Sequence, residues 1–565
     1  MTIELSKRTT HFFSAALLSA TCFTAQAQTP VHKHYDVPEE AGTPSPTGAL
    51  APRLQNVGKH VFSVQCSERA QPFMNQGLNL TYGFNHAEAS RAFGEAARLD
   101  PHCAMAYWGQ ALVLGPNINA PMDPTTEPKA RELVQKALAM KHHVPARERD
   151  YIDALAVRYT GNPDDRAAAD QAYAGAMRML SEKYPDDLDA AALYAEALMD
   201  LRPWNYWMRD GRPHPGTEDI AKTLERVVAA NPEHPGALHL SIHLWEAFEP
   251  EKAEAAADRL LTLAPAAGHL VHMPGHIYQR VGRYDDVIKA NQLAILADED
   301  YISQCRAQGL YPLGYYPHNI HFLWFGATMA GQSELAIASA RKTVSSIPKE
   351  AVVEVPILQT FLLVEDFALV RFGRWDEILK LPPLKYESLF TRAVRHYARG
   401  MAFTRKHDFA AATKELDAVK KIAADPELIA TPASMSLNLP DAVLRIAAES
   451  LAGEMAAEQG RYDEAITHLE TAVRMQDALA YTEPDDWHYP VRHSLAAVLL
   501  KAGRPIEAET VYWQDLREHP KNGWALFGLA QALRAQGKTE EAKAIDEDFR
   551  TAWAKSDVEL TSSRF

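Results

Sequence analysis

The chain has 565 residues, 47% of them hydrophobic, 23% charged and 9% aromatic, with a formal net charge of −15. That composition belongs to a globular chain and not to a disordered or fibrous one. The negative balance argues against nucleic acid as the main partner, and four cysteines are too few for a disulfide scaffold.

In chain order the first segment reads as an address. Lys7 and Arg8 precede the apolar run Phe12 to Thr24, and Ala25-Gln26-Ala27 places small residues around a cleavage point after Ala27. This order predicts a secretory signal over residues 1–27 and a periplasmic or secreted location. The apolar run is too short to span a membrane. Lipidation at Cys22 fits less well, because Thr21 is larger than the residue such a site tolerates. In an oxidising compartment Cys66 and Cys103 are a candidate disulfide, which leaves Cys305 odd. Residues 28–60, rich in Pro, Thr, Gly and charge, read as a disordered linker.

From residue 61 onward the pattern is helical and it repeats. Gly282-Arg283-Tyr284-Asp285-Asp286, Gly331-Gln332-Ser333-Glu334-Leu335-Ala336, Gly373-Arg374-Trp375-Asp376-Glu377, Gly460-Arg461-Tyr462-Asp463-Glu464-Ala465 and Gly503-Arg504-Pro505-Ile506-Glu507-Ala508 are one phrase. Each glycine closes one helix, and an acidic stretch opens the next. Pro185, Pro232, Pro265, Pro348 and Pro520 punctuate the ends of second helices, and Gly503 and Gly537 stand 34 residues apart. On these residues the chain resembles the tetratricopeptide-repeat family over about 61–555. The resemblance implies an all-α, right-handed superhelical solenoid of helix pairs, the first helix of each pair lining a concave groove. The expected divisions are an N-terminal and central solenoid at 61–350, a C-terminal solenoid at 351–555 and a tail at 556–565. Function does not follow from such a scaffold.

Histidine supplies the functional lead. The chain has 23, and seven fall within residues 239–321 in register. His269, His272 and His276 precede the turn glycine Gly282 by 13, 10 and 6 residues; His318 and His321 precede Gly331 by 13 and 10. Steps of three and four keep one face of a helix, and in the repeat family that face is the groove. His239, His243 and Glu246 copy the spacing of His272, His276 and Gln279 one unit earlier. Two histidines one turn apart can share a metal ion with a third ligand from a neighbouring helix. The pattern therefore predicts a transition-metal site, for one ion or two, from His239, His243, His269, His272, His276, His318 and His321, with Glu246 as carboxylate ligand or base. An imidazole-rich, thiolate-free set suits copper or zinc, and with a carboxylate also iron.

The bland reading is a groove that binds an acidic peptide or protein partner, with the histidines as incidental donors. On the metal reading the groove takes a small-molecule substrate or only carries the metal. Neither reading involves nucleic acid or a membrane span. His86, His102, His142, His143, His214, His234, His396, His407, His468 and His519 repeat no groove spacing and read as background, as do His488 and His493. The aromatic insert 298–317 and Trp204, Tyr206 and Trp207 are candidate walls, and Glu196 and Asp200 further candidate carboxylates. Gly537-Lys538-Thr539 is not a phosphate loop, since Ala532 stands where its first glycine belongs. His-Glu-x-x-His, Gly-x-Ser-x-Gly and Cys-x-x-Cys are all absent from the sequence.

Overall fold

The computed structural model describes residues 48–305, 311–384, 386–430 and 438–565. The expected signal at 1–27, most of the segment 28–60, and Gly309 and Leu310 of the insert lie outside the described residues. Twenty-seven α-helices follow one another, and no β-strand occurs among the described residues.

The helices associate largely as antiparallel hairpins. The N-terminal half is built from α1 (Gln71–Tyr82) with α2 (His86–Leu99), α3 (Ala104–Leu112) with α4 (Glu127–Met140), α5 (Ala146–Ala156) with α6 (Arg166–Lys183) and α7 (Leu188–Asp200) with α8 (Thr217–Ala230). The centre holds α9 (Pro235–Trp245) with α10 (Glu254–Leu263), the broken pair α11 (Gly268–His272) and α12 (Pro274–Arg280) with α13 (Tyr284–Cys305), and α14 (Tyr316–Met329) with α15 (Ser333–Ser346). After the short α16 (Lys349–Glu354) come α17 (Val364–Arg371) with α18 (Trp375–Lys380) and α19 (Leu389–Arg405) with α20 (Phe409–Ala423). The short α21 (Pro426–Ala430) is followed by α22 (Pro440–Glu458) with α23 (Tyr462–Asp477), α24 (Val491–Lys501) with α25 (Pro505–Glu518) and α26 (Gly523–Ala535) with α27 (Thr539–Ala552).

The repeated phrase has a physical cause. At Gly282, Gly331, Gly373, Gly460, Gly503 and Gly537 the backbone is left-handed, with φ between 64° and 77°. After each of them the next N–H donates to the carbonyl five residues back, as Arg283 does to Tyr278 at 2.8 Å and Arg461 to Ala456 at 2.9 Å. That bond closes the helix and turns the chain back on itself. Three of these turns also admit the far end of the chain, Gly373 lying against Phe565. A Cβ on Gly282 would stand 2.3 Å from the Pro520 carbonyl oxygen, and one on Gly331 would meet the Trp553 ring at 2.4 Å.

The apolar faces form two large cores. One runs from Leu54 to Phe322 and the other from Tyr284 to Leu560. They meet along α13 and α14, each of which faces both: Val287 and Phe322 belong to the first, Ile288 and Trp324 to the second. The solenoid also returns on itself. Trp524 donates its indole N–H to the Thr328 carbonyl at 2.9 Å, and the Asp557 carboxylate accepts from the Ser333 and Glu334 amides at 2.6 and 3.0 Å.

Two expectations about loose ends are corrected. Residues 48–60 of the expected linker pack onto the first hairpin: Leu54 and Val57 are buried, and the Leu54 amide donates to Gln76 at 2.9 Å. The expected tail at 556–565 is docked, with Ser563 and Arg564 buried and Arg564 paired to Glu454. In both cases short apolar residues within a polar stretch find cover on neighbouring helices. The structure joins Cys66 to Cys103, with Cα atoms 4.9 Å apart, and leaves Cys305 buried and free.

Candidate metal centre

Three consecutive units supply the histidines. On α9, His239 and His243 are one turn apart and share a face. The stripe His269, His272 and His276 crosses from α11 to α12 at Pro274, which has no N–H to bond back to the Leu270 carbonyl. His318 stands in the first turn of α14. The broken stripe serves two partners. His269 joins His239 and His243, whereas His272 and His276 join His318, and in each triad ring nitrogens lie within 4.8 Å of one another. The triads adjoin, with His243 and His276 centroids 5.8 Å apart and those of His269 and His272 5.9 Å apart.

Each triad is covered by one phenylalanine. The Phe84 ring lies 4.5, 6.2 and 5.5 Å from His239, His243 and His269. The Phe322 ring lies 4.6, 4.5 and 4.9 Å from His272, His276 and His318. Phe84 adopts a left-handed backbone at φ 55°, and so does Trp204 at φ 62°, whose ring meets His243 at 5.1 Å. Bulky residues take that conformation at a cost of about 1–2 kcal/mol, and such strain gathers at functional sites.

Hydrogen bonds decide where the protons sit. His239 Nδ1 faces the Tyr82 carbonyl oxygen at 2.7 Å, and His272 Nδ1 faces Asn291 Oδ1 at 2.7 Å. The Asn291 amide is oriented by its own Nδ2, which donates to the Val287 carbonyl at 2.8 Å. Glu246 faces one histidine from each triad: His243 Nδ1 hydrogen-bonds its Oε1 at 3.0 Å, and His276 Nδ1 lies at ion-pair distance, 3.0 Å, from its Oε2. Glu483 also pairs with His276 Nδ1. All these partners accept, so each Nδ1 carries a hydrogen and each Nε2 of a neutral ring presents a lone pair. The Nε2 atoms of His239 and His243 stand 3.1 Å apart, lone pair to lone pair, and those of His272 and His276 2.8 Å apart. Two nitrogens bound at about 2.0–2.1 Å to one ion, at about 90–110°, stand about 2.9–3.4 Å apart. Both ring nitrogens of His269 are buried and have no protein partner.

The electrostatics divide the rings. Burial, reinforced by neighbouring imidazoles, pushes His239, His269, His272 and His318 well below the usual histidine range and keeps them neutral, as ligands must be. Burial also opposes charge on His276, but Glu483 and Glu246 outweigh it and raise its proton affinity to about 10. The same two carboxylates favour a cation on the far side of that ring.

The sequence-based expectations are met unevenly. His239, His243, His269, His272, His276 and His318 converge. His321 does not: its ring stacks on Trp324 at 5.1 Å and 11°, facing Phe361 and a separate cavity. Three residues past His318 the helix has turned about 60° away from the triad. Glu246 faces one ring of each triad at Nδ1, and with His276 and Glu483 it forms a further group whose ligand atoms lie within 4.8 Å of one another. The site is also no open groove, because His239, His243, His269, His272, His276 and Glu246 are at most 3% exposed and only His318 is half-buried. Tyr315 from the aromatic insert lies 4.7 Å from His269, and the loop 478–490 between α23 and α24 brings Glu483.

Among the other candidates, Trp207 stacks on Trp245, and Tyr206 is buried, its carbonyl accepting from Thr217 Oγ1. Glu196 and Asp200 line a water-sized cavity with Arg158, apart from the triads. Sequence reasoning missed Glu483, Asn291, Phe84 and Phe322. It also passed over His60 and His234, which meet at Asp189. Phe322 follows His318 by one turn, a usable clue; Glu483 lies in a loop without period and gives none.

Fold and site together define an all-α repeat solenoid with paired histidine triads in its interior. Residues 499–545 match the tetratricopeptide-repeat family, and the glycine-closed turn of that segment recurs at Gly282, Gly331, Gly373 and Gly460. No curated protein matches the sequence. Solved structures similar in fold include a human IFIT1 dimer with m7Gppp-AAAA (13% identity, 87% of this chain and 92% of that chain, TM-score 0.30). The APC/C hetero-tetramer Cut9-Hcn1 is 12% identical over 87% of this chain and 80% of that one, TM-score 0.37. The P58(IPK) TPR domain is 14% identical over 84% and 99%, TM-score 0.23.

Proposed function

We propose that this protein is an exported repeat protein that binds two transition-metal ions. His239, His243 and His269 hold one, and His272, His276 and His318 hold the other. One observation carries the reading: the Nε2 atoms of His239 and His243, and of His272 and His276, meet in pairs at 3.1 and 2.8 Å, while His239, His243 and His272 give their Nδ1 hydrogens outward to fixed acceptors. In neutral rings that contact is a repulsion between lone pairs, and a cation between them makes it a bond. Three protein ligands per ion leave a coordination position free, as in catalytic sites. Copper and zinc suit all-imidazole ligation, and the carboxylates of Glu246 and Glu483 beside His276 are the donors an iron site would use. Export rests on the order of residues 1–27 and accords with the Cys66–Cys103 pair.

The test is elemental analysis of the purified full chain. Wild type carries two ions per chain, and a His272→Ala/His276→Ala variant no more than one. Equal trace metal in both overturns the proposal and leaves a groove scaffold for a protein or peptide partner.

A further inference from the structure

We infer that the cavity beside His321 binds a small organic amine, a protonated nitrogen carried on an apolar body. None of the six triad histidines lines it, so the site goes beyond the metal reading and does not rest on it. The cavity lies between α14, the 3-10 stretch Pro356–Leu363, α17, α19, α22 and the loop 478–490. It encloses about 60 Å³, room for about four to six waters or a guest with as many non-hydrogen atoms.

Trp324, Phe367, Phe390 and Val443 supply the apolar lining, one from each of the four helices, and each is at most 5% exposed. That lining is held in place by its neighbours. The His321 ring stacks on Trp324 at 11°, and Phe367 stacks on His488 at 4.3 Å and 4°. A preformed apolar wall with a few polar groups is the usual form of a small-molecule site.

The polar lining selects the charge of the guest. Asp485 and Asp486 both contribute to it, and among the described lining residues none is Lys or Arg. Asp485 engages His519 through Oδ2 at 3.3 Å, and Asp515 shares that imidazole at 3.4 Å. The Asp485 side chain is 42% exposed, which sets it at the rim. The His321 imidazole and Thr360 Oγ1, which donates to the Ile357 carbonyl at 2.9 Å, offer further lone pairs. An alkylammonium group brings three donors, a positive charge and no acceptor. Its charge is also drawn to the faces of Trp324, Phe367 and Phe390, whereas a carboxylate or phosphate would meet Asp485 and Asp486 with like charge.

The test titrates the purified full chain with 3-methylbutylamine, 3-methylbutan-1-ol and 4-methylpentanoate, followed by ligand-observed NMR. Expected is saturable one-to-one binding of the amine, about tenfold or more tighter than the alcohol, and no binding of the carboxylate. Asp485→Asn brings the amine down to the level of the alcohol with an unchanged melting temperature. Val443→Phe fills the apolar end and abolishes binding; Asp485→Asn, at the exposed rim, tests the site even where Val443→Phe fails to fold. The His272→Ala/His276→Ala variant keeps the amine, which separates this cavity from coordination to a metal ion. No amine bound by wild type, equal binding of amine and alcohol, or a titration indifferent to Asp485→Asn overturns the inference. So does loss of the amine in the His272→Ala/His276→Ala variant with its helical signal unchanged, and in none of these outcomes is the metal content of wild type at issue.

Discussion

The paired triads and the cluster at Asp189 use the same residue types in the same half of the molecule, bonded in opposite senses. At Asp189, His60 Nε2 and the Tyr82 hydroxyl both lie 2.7 Å from Oδ1, and His234 Nε2 lies 3.3 Å from it. His234 Nδ1 accepts from the Ala237 amide at 3.2 Å and caps α9, so its hydrogen is on Nε2, facing the carboxylate. Donors meet an acceptor there, and a cation would break bonds already made. At His239 and His243 lone pair meets lone pair. Tyr82 takes part in both, giving its hydroxyl to Asp189 and its carbonyl to His239. Three ligand-type residues within reach of one another do not make a metal site; the placement of their protons does.

That contrast can be broken by substitution, and the largest effect belongs to the triads. His239→Ala/His243→Ala removes two of three ligands and drops the metal content from two ions to one. The matching His60→Ala/His234→Ala variant keeps two ions, as mass spectrometry under native conditions will show. Chelation comes next: at metal a hundredfold above its dissociation constant, each site adds about 2.7 kcal/mol to stability. Stripping the ions lowers the calorimetric melting temperature of wild type and of the His60→Ala/His234→Ala variant alike.

Smaller effects separate the carboxylates. Glu246→Gln weakens both sites by about 10–100-fold, because Glu246 orients a ring of each triad, whereas Glu483→Gln weakens only the second. Asp189→Asn leaves metal affinity unchanged and costs about 1–3 kcal/mol of stability. Burial opposes the Asp189 charge, but His234 and His60 hold its pKa far below the usual range. Its folded pKa is depressed, so its contribution is present above the ordinary value of about 4 and fades as pH falls below it. Denaturant titrations show a flatter acid limb for Asp189→Asn. The least effect is that of His321→Ala, which keeps both ions and loses about 1 kcal/mol of stacking on Trp324.

The contrast also marks what the sequence makes legible. Turn glycines with left-handed backbone set the hairpins, and i, i+4 spacing places His239 with His243 and His272 with His276, because both depend on near neighbours in the chain. The division of the α11–α12 stripe between two triads depends on which flanking helix each ring reaches, a tertiary fact. So does the fate of His321, one position out of phase with His318. Burial in place of an open groove comes from Phe84, Tyr315 and the loop 478–490, segments outside the repeat pattern. Glu483 is reached only by folding the second half of the solenoid against the first.

That last contact has a consequence for biogenesis. Every histidine of the two triads lies between residues 239 and 318, and Glu483 comes far behind them. Chains fold from the N-terminus as they emerge. A folding intermediate therefore holds the complete imidazole set before the loop that closes over it has arrived. On the two-ion proposal, insertion has its widest opening in that interval, and an ion captured then would be sealed in by the rest of the polypeptide.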